Sequence, residues 1–112
     1  MNLKVERQVV RHRIKVEALE VNESPGTGTY ILDLSPLGMR LETPIPFAKM
    51  DLVSIKFQLP GETEEMLVGG KVMWIRPMVT PPPRFLMGLK LFVPQWQLDL
   101  LGRQWRGYKQ AE

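Results

Sequence analysis

The sequence predicts an all-β fold, a six-stranded antiparallel β-barrel closed by one C-terminal amphipathic α-helix. Three observations carry this. Short apolar–polar alternations recur along most of the chain, each bounded by Gly, Pro, Asn or Asp. Interior glycines (Gly69, Gly70, Gly88) stand within strand-like runs, where a bulge or bend lets a sheet curl. From Trp96 onward the period becomes helical, through Leu100, Leu101, Trp105 and Tyr108. A chain of 112 residues is expected to be one domain with its own core. The reading is a basic arm over 1–13 and a single barrel-and-helix domain over 14–112.

The arm has few apolar residues and no strong period. Ile14–Val21 alternates, with Ile14, Val16 and Ala18 on one side, as a half-buried strand does. Asn22–Gly28 is a turn by composition. Thr29–Leu34 is a second strand, rich in β-branched and aromatic residues, and Met39–Glu42 a short third one. Pro44 and Pro46 interrupt any ladder over Thr43–Met50. Leu52–Leu59 alternates cleanly, and Pro60-Gly61-Glu62 turns the chain. Met66–Ile75 is a long strand with an expected bulge at Gly69–Gly70. Pro77–Pro83 is a stiff proline loop, Phe85–Phe92 the last strand, and Pro94 a suitable helix start. Met39, Met66, Met73 and Met87 are expected as core filler. Trp74, Trp96 and Trp105 are expected to pack the helix on the barrel.

Composition excludes several function classes. There are no cysteines, hence neither disulfides nor thiolate chemistry. A single histidine, His12, read as a solvated arm residue, leaves no metal cluster. Ser35 lacks the Gly-x-Ser-x-Gly setting of a nucleophile, and Gly70-Lys71 is followed by Val72 where a phosphate loop needs Ser or Thr. No catalytic constellation emerges, and no metal or cofactor is expected. No apolar run approaches the roughly 20 residues that cross a bilayer, and Met1–Arg7 lacks a signal-peptide core. The expectation is a cytoplasmic, non-enzymatic protein without membrane insertion.

The net charge of +3 is concentrated at the N-terminus. Lys4, Arg7, Arg11, Arg13 and Lys15 against Glu6 alone leave +4 within residues 1–16. A basic arm on a near-neutral body suits a compact anionic ligand better than a long nucleic acid, which asks for a basic stripe. Two patterns complete the picture: Arg7-Gln8-Val9-Val10-Arg11 in the arm, and Asp33-Leu34-Ser35-Pro36-Leu37-Gly38 at the corner between the second and third strands. The corner gathers a carboxylate, a hydroxyl and turn amides on a rigid strand end.

These two patterns resemble the signature of the PilZ domain, a bacterial receptor module for the second messenger cyclic di-GMP: Arg-x-x-x-Arg before a strand, then Asp/Asn-x-Ser-x-x-Gly. Val72-Met73-Trp74 and Met87–Phe92 look like that family's later strands. The resemblance implies a split-barrel type of six strands with a C-terminal helix. It implies cyclic di-GMP as the ligand, bound by Arg7, Arg11, Asp33, Ser35 and Gly38, with Arg13 and Arg40 as auxiliary candidates. An arginine fork holds a phosphate, or guanine O6 and N7, bidentately. Asp33 can accept from the guanine ring N–H and amino group. Ser35 and the backbone at Gly38 can reach further atoms, and the arm would close over the ligand and present a changed surface to an effector protein. Ligand stoichiometry and homodimerisation stay open. Two alternatives remain: a PilZ-type protein-interaction module without nucleotide, in pilus or flagellar function, and a small barrel binding single-stranded nucleic acid.

Overall fold

The computed structural model describes residues 10–101. Eight strands form one antiparallel sheet in the order β1-β4-β5-β8-β7-β6-β2-β3. They are β1 (His12–Glu17), β2 (Glu20–Val21), β3 (Ser24–Pro25), β4 (Tyr30–Leu34), β5 (Gly38–Thr43), β6 (Leu52–Phe57), β7 (Met66–Met78) and β8 (Arg84–Leu91). The class is all-β as expected, but the strand count is eight rather than six.

The extra strands have a physical origin. The run read as one strand over 14–21 changes partner midway, so β1 pairs with β4 while β2 pairs with β6. Ala18 and Leu19 make the crossing: the Ala18 amide donates to the Thr29 carbonyl and the Leu19 amide to the Lys56 carbonyl, each at 2.8 Å. One kinked segment thus links two distant parts of the sheet and curls it into a half-barrel. β3 lies inside the segment read as a turn, in a tight hairpin with β2. Both loop residues, Asn22 and Glu23, have positive φ (52° and 67°), the backbone that two-residue hairpins favour. The Asn22 side chain also accepts from the Ser54 amide at 2.8 Å. Pro25 is tolerated because β3 ends the sheet order and owes no ladder bond beyond β2.

Alternation decides which face is buried. Along β1, His12, Ile14 and Val16 point inward and Arg13, Lys15 and Glu17 outward. The core joins Ile31, Leu34, Met39, Leu41, Ile55, Phe57, Val72 and Met87, all essentially inaccessible. A short helix, α1 (97–101 of the described residues), adds Leu98 to this core, with Leu101 packed beside it. Trp105 and Tyr108 lie outside the described residues.

β7 serves two neighbours. Its first half pairs with β6 up to Lys71, and from Gly70 onward it pairs with β8. Pro77 therefore lies in the strand rather than in the proline loop, at a position paired on one side only. The bulge is not at Gly69–Gly70 but at Met73, between the pairs Val72↔Leu89 and Trp74↔Gly88. Gly70 meets a different demand: a Cβ there would lie 2.5 Å from the Lys90 carbonyl oxygen.

Candidate functional site

The site grows from the β4–β5 corner. Ser35 is buried and its hydroxyl is consumed locally, donating to the Gly38 carbonyl (3.2 Å) and accepting from the amides of Leu37 (3.3 Å) and Gly38 (3.2 Å). The turn amides expected to be free thus point at Ser35, which shapes the corner as Ser does in such turns. The corner is also fixed from outside: the Leu91 amide donates to the Leu37 carbonyl, and the Gln95 amide to the Pro36 carbonyl. At Gly38 the close approach is to β8, since a Cβ would sit 2.6 Å from the Leu89 carbonyl oxygen.

The strand register then lays out a row on the outer face. Arg13 stands opposite Asp33, Asp33 opposite Arg40, Arg40 opposite Gly88, and Gly88 opposite Trp74. An irregularity at Leu32 brings Asp33 into this row. The Asp33 side chain is only 9% exposed and lies between two guanidinium groups. Arg11 Nη1 donates to one carboxylate oxygen at 2.9 Å. Arg40 Nε lies 3.4 Å from the other, in ion-pair range but without hydrogen-bond geometry, and has no hydrogen-bond partner. Arg11 keeps 60% of its side chain exposed.

These residues border a cleft of about 540 Å³ with Ser35, Gly38, Met73, Trp74 and Lys90, within the range of small-molecule sites. Among the described residues its lining carries three cations, Arg11, Arg40 and Lys90, against the single carboxylate of Asp33. That excess favours an anionic guest. Trp74 forms one wall, its indole lying over Gly88 so closely that any Cβ there would collide with Nε1. The Arg76 guanidinium lies over the Trp74 ring, 5.3 Å from its centroid.

Of the residues singled out from the sequence, the structure brings Arg11, Asp33, Ser35, Gly38 and Arg40 to one cleft. Arg13 stands on the exposed side of β1 and does not line it. Arg7 lies outside the described residues. His12 departs from expectation: it is 1% exposed, and its Nε2 is bonded to Asp99 of α1 at 2.8 Å. It is an inward residue of β1, not a solvated one.

Trp74 and Lys90 were missed as site residues. The expected role of Trp74, packing helix on barrel, does not hold, because the bulge turns it to the outer face. Met73, 38% exposed, is likewise not core, whereas Met39 and Met87 are. The available signal was the apolar pair Met73-Trp74, which breaks strict alternation, together with a glycine in the facing strand. Aromatic residues characteristically cover such glycines.

The model of the PilZ domain matches residues 5–103. No curated protein matches the chain.

Proposed function

The chain belongs to the PilZ domain family, and from that premise we propose that it is a cyclic di-GMP receptor that acts as a non-enzymatic adaptor. PilZ domains are binding modules for this nucleotide. The observation that carries the reading is Asp33, a nearly buried carboxylate flanked by an exposed arginine, Arg11, and a half-exposed one, Arg40, at the edge of a cationic cleft.

Each group has work that matches the ligand. Asp33 offers acceptors only, and guanine presents adjacent N–H donors on its Watson–Crick edge. Arg11 and Arg40 can exchange part of their hold on Asp33 for a phosphate, or for guanine O6 and N7. Trp74, 37% exposed at the cleft wall, offers its indole to a base, an interaction worth about 1–3 kcal/mol per base. Ser35 and Gly38 act indirectly, by fixing the corner that aims Asp33. In this reading Arg7 adds a second guanidinium from the arm, which closes over bound nucleotide and alters the surface offered to an effector protein. Among the described residues no helix is long and apolar enough to cross a membrane.

Calorimetric titration tests this. The wild-type chain is expected to bind cyclic di-GMP, and Arg11→Ala to bind it roughly 100-fold more weakly, since a charge-assisted bidentate contact is worth about 1.5–3 kcal/mol. Absence of binding by the wild type would refute the receptor reading and favour a protein-interaction module that has lost its nucleotide.

A further inference from the structure

Two residues along the strands from the Asp33–Arg40 row, the same outer face carries a second row: Gly38 opposite Lys90, Lys90 opposite Lys71, and Lys71 opposite Leu52. Directly opposed like charges destabilise a sheet, because their Cβ atoms stand only about 4.5–5.5 Å apart. Neither lysine has an ion-pair partner among the described residues, whereas Lys56 of β6 has two, Glu20 and Glu65. Asp51, at the start of β6 beside this row, commits one carboxylate oxygen to the Ala48 amide. Gly38, opposite Lys90 across the β5–β8 pair, adds no side chain to the row, and Lys90 itself lines the cleft.

We propose that Lys71 and Lys90 form a phosphate seat that takes the second phosphodiester of the bound nucleotide. The proposal rests on the receptor reading above and specifies the ligand further. The ligand carries two guanines and two phosphates on one ring. The arginine-flanked carboxylate serves a guanine and the phosphate nearest to it, and the neighbouring row offers the far phosphate a pair of cations of its own. Successive outward residues along a strand are about 7 Å apart, a spacing the flexible lysine stems can bridge. The repulsion between the lysines in the free protein is relieved when a phosphate sits between them. Ligand binding and relief of strain in the sheet are then one event.

The test compares four chains by titration with cyclic di-GMP and by thermal melting without ligand: wild type, K71A/K90A, K71R/K90R and, as a charge-matched control on β6, K56A. The proposal expects K71A/K90A to bind at least about tenfold more weakly and with a shallower dependence of log K on log salt. It expects K71R/K90R to retain binding, K56A to match the wild type, and the nucleotide-free Tm of K71A/K90A to equal or exceed that of the wild type. Unchanged affinity in K71A/K90A, or an equal loss in K56A, overturns the phosphate seat while leaving the receptor reading intact. A wild-type chain that binds no nucleotide overturns both. A lower Tm in K71A/K90A contradicts the claim that the free pair is repulsive.

Discussion

Two arginine–carboxylate clusters occupy the outer face of β5, one centred on Arg40 and one on Glu42, two residues apart. They are built in opposite ways. Around Glu42, one arginine meets one carboxylate: Arg84 Nε donates to Glu42 at 2.6 Å, and its Nη2 to the Gly28 carbonyl at 2.5 Å. Arg84 also lies over the Tyr30 ring, and both charged side chains are about one-fifth exposed. Around Asp33, two arginines share one carboxylate. One of them is more than half exposed, and the other leaves Nε without a hydrogen bond. The first cluster is saturated and braces β4, β5 and β8. The second holds donors in reserve, which is the condition for exchanging a protein contact for a ligand contact.

That contrast makes separable predictions. The largest effect is Asp33→Ala, which removes the one carboxylate among the described residues that line the cleft and leaves two cations facing each other. Nucleotide binding is expected to fall below detection in calorimetry, while the fold persists by circular dichroism. Next is Gly88→Ala, whose new methyl would occupy the position of Trp74 Nε1. The indole must leave its place, so stability is expected to fall by about 1–3 kcal/mol and affinity by roughly tenfold. Arg84→Ala should do the reverse of Arg11→Ala: it is expected to cost about 1–3 kcal/mol in urea unfolding, because Glu42 and the Gly28 carbonyl lose their donor. Its affinity for the nucleotide should stay within about twofold. Arg11→Ala removes a side chain that is 60% exposed and leaves Asp33 with Arg40 beside it, so stability should stay within about 1 kcal/mol. The smallest effect is Ser35→Ala, which unties the corner and is expected to cost about 0.5–1.5 kcal/mol, with a modest loss of affinity through the loosened aim of Asp33.

What could be read beforehand and what could not divides along local and non-local lines. The β4 corner was legible because turn chemistry and alternation are written in adjacent residues, and so was the pairing of a basic arm with an acidic bend. The partner switch at Ala18–Leu19 was not, since nothing in Ile14–Val21 announces that its two halves bond to different strands. His12 was hidden for two reasons. A polar residue opens the inward series of β1, and its partner Asp99 is 87 positions away. Trp74 and Lys90 depend on the β7–β8 register and on the bulge at Met73, which only the paired strands define. Gly70 reads from the sequence as a bulge and Gly38 as a ligand approach. Both also admit the β8 backbone, a demand set by a strand far along the chain that local sequence does not announce.

The claim at the centre is that Asp33 reads the donor edge of guanine between two arginines. Parallel titration of the wild-type chain with cyclic di-GMP and cyclic di-AMP tests it most directly, because the two ligands share the phosphate ring and differ in the base edge offered to that carboxylate. The account predicts binding of the guanine dinucleotide with little or none of the adenine one. Equal affinity for both would contradict it.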